Sequence, residues 1–183
     1  MASTGAAALS EAKVGHPVTV TLPSLRPTPA VTTYQWRLDG APVAGATAAT
    51  YTPGAGDLGH RLSVVVTGAR DQVATGTFTS ADVVVAPAGS LAWSAGRPAL
   101  RGSGEVGSKL RLKGVRASAF APTAGSLTYQ WQRNGKPVKG ATSKTYVVKG
   151  KDRGKKLVCV VTAHLAGWTD GTVTSKAVRV PRK

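Results

Sequence analysis

Apolar and polar residues alternate with period two in short runs along this chain. Leu62-Ser63-Val64-Val65-Val66 and Leu157-Val158-Cys159-Val160-Val161 each put three small apolar side chains on one face, as a half-buried strand does. No stretch of helical apolar spacing long enough to form a helix competes with these runs. Thr33-Tyr34-Gln35-Trp36-Arg37 reads as an incoming strand with Tyr34 and Trp36 on one face and Gln35 and Arg37 on the other. It meets Asp39-Gly40, and its counterpart meets Asn134-Gly135. Both dipeptides favour positive φ at the two central positions of a tight hairpin. Further short strands are expected at Thr50-Tyr51 and Val83-Val84-Val85, and again at Thr145-Tyr146 and Val178-Arg179-Val180.

These runs are one pattern written twice. Tyr34-Gln35-Trp36 returns as Tyr129-Gln130-Trp131 at an offset of 95, and the match continues without a gap to Thr67 and Thr162. Upstream, Val14-Gly15 matches Val106-Gly107 at 92, which leaves three extra residues in the second copy before Tyr129. A repeat of this length in 183 residues predicts two domains, residues 1–88 and 89–183. An N-terminal arm is expected over about 1–12 and a linker over about 86–94. About seven short strands per copy, one Trp on the third and an Asp-x-Gly corner before a core strand (Asp57-Leu58-Gly59, Asp152-Arg153-Gly154) predict an all-β fold. The arrangement is two tandem immunoglobulin-like β-sandwich domains.

The phrase Tyr-Gln-Trp-x-x-Asn/Asp-Gly-x-Pro-Val-x-Gly-Ala-Thr, followed by Thr-Tyr and Asp-x-Gly-x-x-Leu-x-Val-x-Val-Thr, resembles the bacterial Ig-like repeats of actinobacterial surface proteins and of bacteriophage structural (decoration or tail) proteins. Pro98, Gly102, Val106, Gly107 and Leu110 resemble that repeat's opening strands. The resemblance covers nearly all of residues 98–180 and less of the first copy. It implies a structural or display module on a virion or cell surface, acting in assembly, spacing or adhesion among capsid, tail or cell-envelope proteins. It implies little about chemistry, because such repeats serve many proteins.

Composition narrows the chemistry. A single cysteine, Cys159, excludes an internal disulfide framework; it stands where the first copy has Val64 and reads as a buried core thiol. No run of about 18 apolar residues predicts a membrane span, and Met1 to Ala12 lack the basic start and apolar centre of a secretory signal. Gly102-Ser103-Gly104-Glu105-Val106-Gly107 matches a dinucleotide-binding turn in letters only: Leu110-Arg111-Leu112 alternates like a strand where that motif needs a helix. His16, His60 and His164 fall at unrelated repeat positions, so no metal site is expected. No catalytic residue and no cofactor is predicted.

Charge is where the copies part. Residues 1–88 hold five Lys and Arg against five acids; residues 89–183 hold nineteen against three, which places the whole +16 in the second copy. Lys136, Lys139, Lys144, Lys149, Lys151, Arg153, Lys155 and Lys156 replace Ala41, Ala44, Ala49, Gly54, Gly56, Leu58, His60 and Arg61, and form the candidate partner-binding set together with Trp168. Such a set is expected either to serve as a solvated surface or to attract acidic polysaccharide, another polyanion or an acidic partner surface. Without interleaved aromatic residues it does not predict specific nucleic-acid binding. Trp168, in the turn-like stretch 164–171, reads either as a contact residue near a loop tip or as a side chain partly buried at the sandwich end, and Trp93 is expected between the two domains.

Overall fold

The computed structural model describes residues 2–4, 7–26 and 28–183; for 2–4 and 24–26 the description is of the backbone. Among these residues every ladder between strands is antiparallel, two isolated bridges are parallel, and the only helical elements are three single 3₁₀ turns. The chain forms two compact units, Met1–Ala88 and Gly89–Lys183. Each is an Ig-like sandwich.

In the first unit, strand Val31–Leu38 lies between Ala41–Pro42 and Arg61–Arg70. The latter strand also carries Val73–Thr79 and Val83–Val84. The facing sheet consists of Ala8–Leu9, Val18–Thr21 and Thr50–Tyr51. The second unit repeats this. Ser126–Arg133 pairs with Lys136–Pro137 and Lys156–His164, which carries Gly171–Thr174 and Val178–Arg179. Ala99–Arg101, Lys109–Lys113 and Thr145–Val147 face it.

The hairpin turns form as their residue types dictate. Asp39 and Gly40 have φ of 47° and 81°, and Asn134 and Gly135 have 46° and 80°. Positive φ at both central residues gives the twist that two-residue hairpins need, and Asp, Asn and Gly tolerate it best. The side chain of the first turn residue then reaches across the sheet: Asp39 Oδ1 accepts from Arg61 N at 2.9 Å and Asn134 Oδ1 from Lys156 N at 2.8 Å.

Between the sheets sits the tryptophan. Trp36 and Trp131 are fully buried. Each indole Nε1 donates to a carbonyl of the segment that crosses between the sheets, Ala48 O at 2.9 Å and Ser143 O at 2.8 Å, so neither buried indole N–H is orphaned. Tyr51 and Tyr146 stack on these indoles with ring centroids 5.7 and 5.2 Å apart. Each tyrosine hydroxyl donates to the corner aspartate, Asp57 at 2.8 Å and Asp152 at 2.9 Å. Burial, reinforced by the bond to Asp57, pushes the Tyr51 phenol up to about 12; Tyr146 is raised for the same two reasons. Leu62, Val64 and Val66 complete one core, and Leu157 and Cys159 the other, as alternation requires.

Several segments are more integrated than their composition suggests. Of the stretch expected as an N-terminal arm, residues 1, 5 and 6 lie outside the described residues. Ala2–Thr4 pairs with Ser24–Arg26, Ala8–Leu9 is a sheet strand, and Ala7 and Ala12 are buried. Small side chains let this segment approach the core closely. Lys13 then bridges Ala86 in parallel register: Ala86 N donates to Ala12 O at 2.9 Å, and Val14 N to Ala86 O at 3.0 Å. The stretch expected as a linker is likewise shared out, with Ala86 and Ala88 bonded or packed in the first unit and Gly89, Ser90 and Leu91 tied to Thr169 or buried in the second.

The second unit also has a small additional core of Leu91, Phe120, Ala124 and Ala163, built where the three extra residues enlarge its loop. Trp93, expected between the domains, meets Phe120 of this cluster edge to face at 5.0 Å. It belongs to the second unit's packing because Ala92–Trp93 pairs with Phe120–Ala121.

A buried serine closes each sandwich. Val64 N donates to Ser80 Oγ at 3.0 Å and Cys159 N to Ser175 Oγ at 2.9 Å, at the point where one strand ends and the next has not begun. Ser175→Ala leaves the Cys159 amide buried without a partner, a cost of about 1–3 kcal/mol to the second unit. Cys159 provides the readout, since its thiol is fully buried and burial pushes it up to about 11. Labelling of Cys159 through unfolding is expected to be about ten- to a hundredfold faster in Ser175→Ala than in the parent, with a matching fall in melting temperature. Equal labelling rates in the two proteins would count against this role for the serine.

Candidate functional site

The eight candidate cations all lie on the second unit and are all exposed. They form three groups. Lys139 and Lys149 line a groove of about 250 Å³ with Thr145, Tyr146 and Val147 between the chain after the hairpin and the free edge of Thr145–Val147. Lys151 and Arg153 occupy the 3₁₀ corner, followed by Lys155 and Lys156 at the start of strand Lys156–His164; Lys136 sits across the hairpin end, next to Asn134, which bonds Lys156. Lys144 is committed in part to its own domain, with its Nζ 5.7 Å from the centre of the Tyr129 ring.

Trp168 is half-buried. Its ring packs on the small additional core and leaves no room for a side chain at Gly89, where a Cβ would stand 2.7 Å from the indole. Much of this tryptophan is therefore engaged within the second unit.

Two of the three acids of this unit, Asp152 and Asp170, are occupied elsewhere. Asp152 is 0% exposed; its Oδ1 accepts from Arg133 Nε, and its Oδ2 from Tyr146 and from Lys149 N at 2.8 Å. Hydrogen bonding to Asp152 raises Arg133 further above its ordinary value. In the first unit Leu38 stands at the position of Arg133, so the buried ion pair belongs to the second unit alone. Asp170 pairs with His164 at 2.8 Å. Among the described residues, no carboxylate lies within ion-pair distance of any of the eight candidate cations.

The contrast is sharpest at one pair of equivalent positions. In the first unit His60 Nδ1 and Asp39 Oδ2 are 2.6 Å apart; in the second, Lys155 replaces the histidine and Asn134 the aspartate. A cation is added where the anion is removed. The second unit thus carries surface charge that its own side chains do not neutralise, which raises the potential around it.

Among the described residues no three His, Cys, Asp or Glu side chains come together as metal ligands, and no helix is long and apolar enough to cross a membrane. A further run of cations, Arg101, Lys109, Arg111 and Lys113, lies on the sheet away from the hairpin; the alternation of charge along Lys109–Lys113 is its mark in the sequence.

No protein-family profile and no curated protein matches the chain. Among solved structures it is similar to the tandem Ig repeats of Dlar at 18% identity, covering 97% of this chain and 94% of that one with a TM-score of 0.27. It is also similar to SGBP-B of the Bacteroides ovatus mixed-linkage glucan utilization locus, in complex with a mixed-linkage heptasaccharide. There the identity is 15% over 93% of this chain and 43% of that one, with a TM-score of 0.27. Neither likeness bears on the partner of this chain.

The His60 pair provides a titration test. Its hydrogen bond to Asp39, and then the charge of Asp39, raise His60 above 6.5, while the Arg61 amide and His60 lower Asp39 below 3.8. The stabilisation from the raised histidine is complete below pH 6.5 and is lost as pH rises through its folded value; that from Asp39 is present above pH 3.8 and is lost as pH falls through its lowered value. NMR titration should therefore find His60 above the ordinary histidine value in the parent and lowered toward it in Asp39→Asn. An unchanged His60 titration in that variant would show that the pair does not form in solution.

Proposed function

We propose that the chain is a non-enzymatic structural module, a pair of Ig-like domains displayed on a phage particle or a bacterial cell surface, where it acts in assembly, spacing or adhesion. The observation that carries this reading is the repeat itself: one sandwich is used twice, its buried polar groups are spent on holding the fold, and what varies is the surface. Partners on this reading are capsid, tail or cell-envelope proteins. Immunogold labelling of phage particles and cell envelopes from the producing culture is expected to decorate one of the two. A chain found only as a dispersed species, with neither particles nor envelopes labelled, would sink the proposal.

The unneutralised charge of the second unit favours a second reading, in which the chain is a module that holds an acidic polysaccharide or another polyanion. Such binding weakens with salt in proportion to the number of anions neutralised. The parent chain is expected to be retained on an immobilised linear phosphodiester polymer at low ionic strength and released as salt rises. Flow-through without retention at low salt rejects polyanion binding while leaving the display role standing.

A further inference from the structure

The sheet of Ala99–Arg101, Lys109–Lys113 and Thr145–Val147 turns alternate side chains inward, and Leu100, Leu110 and Leu112 join the core of the second unit. The opposite parity faces water: Ala99, Arg101, Lys109, Arg111, Lys113 and Val147 are all exposed. In the register of the sheet Arg101 lies directly opposite Arg111, Ala99 opposite Lys113, and Lys109 opposite Val147. Three cations thus recur at every second residue of one strand, about 6.6–6.8 Å apart, with a fourth about 5 Å away on the neighbouring strand.

This arrangement works against the fold that carries it. Like charges directly opposite on one sheet face are destabilising, and among the described residues none of the four has a carboxylate within ion-pair distance. The same face of the first unit shows that the sandwich does not require them. Val18 pairs with Tyr51 as Leu110 pairs with Tyr146, and Ala8 faces Thr21 as Ala99 faces Lys113. Arg101, Lys109, Arg111 and Lys113 therefore stand where the first unit has Ser10, Pro17, Thr19 and Thr21. There the Ser10 hydroxyl accepts from Thr19 N at 3.0 Å, and the face is neutral.

We propose that this sheet face of the second unit is a docking platform for a linear polyol-phosphate polymer with a three-carbon repeat, which deepens and rests on the polyanion reading above. The spacing fits a three-carbon phosphodiester repeat, which poly(glycerol phosphate) and the nucleic-acid backbone share. Two strand residues span about six backbone bonds, and so does a three-carbon phosphodiester repeat, so successive phosphates of an extended chain meet successive cations of Lys109–Lys113. Arginine at the centre of the face offers the planar fork that suits phosphate oxygens. The face carries no aromatic side chain on which bases could stack, which disfavours a nucleic acid. At the free edge, Thr145 and Val147 also line the groove that holds Lys139 and Lys149, so the cationic track continues off the sheet.

The test compares the full chain with two variants that lose the same number of charges. One combines Arg101→Ser, Lys109→Thr, Arg111→Thr and Lys113→Thr; the other combines Lys136→Gln, Lys151→Gln, Lys155→Gln and Lys156→Gln. Binding to synthetic poly(glycerol phosphate), to a single-stranded oligonucleotide and to a carboxylate polysaccharide is measured across a salt series. The sheet variant is expected to bind poly(glycerol phosphate) at least about tenfold more weakly, with the slope of log K against log salt reduced by about 3, and the hairpin-corner variant to stay near the parent. Arg111→Thr alone should reduce the slope by about 0.7 and, by relieving the Arg101 repulsion, raise the melting temperature. This single change keeps the question answerable if the fourfold variant folds poorly.

Equal losses in both fourfold variants would show diffuse attraction to net charge and overturn the platform. A loss confined to the hairpin-corner variant would move the site there, overturning the platform but not polyanion binding. Tighter binding of the oligonucleotide or the carboxylate polymer than of poly(glycerol phosphate) overturns the choice of polymer. A parent chain that binds none of the three refutes polyanion binding altogether.

Discussion

A buried indole that must donate its N–H governs both sandwiches. Trp36 and Trp131 place a large apolar surface between the sheets, and that placement is stable because Nε1 finds a carbonyl in the segment crossing from one sheet to the other. Once the carbonyl is fixed, so is the segment, and with it the tyrosine that stacks on the ring. The tyrosine hydroxyl is drawn out of water in turn and needs the corner aspartate, which also accepts from the backbone N–H that opens the 3₁₀ turn. Each link satisfies a polar group that the previous link buried. This chain of obligations is why the two copies match without a gap from residue 34 to 67 and from 129 to 162. Inserting one residue there would orphan a buried donor.

Outside that chain of obligations the copies are free to differ, and the second has used the freedom on charge. It gives up surface carboxylates as it gains lysine and arginine, so that among the described residues its eight candidate cations and the four on the sheet face have no carboxylate within ion-pair distance. The one carboxylate it buries is the structural Asp152, neutralised by Arg133 in a position where the first unit has only leucine. A domain shaped by stability alone would mix the two signs on its surface. Opposed arginines on a sheet face are a stability cost of the kind that binding sites accept.

Much of the fold is legible in the residues, because hairpin chemistry and period-two alternation are local. Asp39-Gly40 and Asn134-Gly135, the inward faces of Leu62 to Val66 and of Leu157 to Val161, and the buried tryptophans all follow from short spans of chain. What escapes is what depends on distant segments meeting. Alanine-rich residues 7–12 read as an arm until Ala86 pairs with Ala12, and the packing of Trp93 on Phe120 depends on a loop far along the chain. For the candidate surface, the lysine substitutions after the hairpin stand out against their counterparts in the first copy. The ladder of Arg101, Lys109, Arg111 and Lys113 does not, because the 92-residue offset of that region breaks the comparison and because Arg101 joins the others only through strand register.

The parallel pairing of the first unit's opening and closing segments has a mechanical meaning. Tension along the chain pulls residues 12–14 toward one end and residue 86 toward the other. In parallel strands those pulls are opposed along the strand axis, so the bonds Ala86 N to Ala12 O and Val14 N to Ala86 O are loaded together in shear. An unzipping geometry would load them one at a time. A module held at one end and tugged at the other thus meets resistance where its own termini pass each other, before the force reaches the tryptophan core.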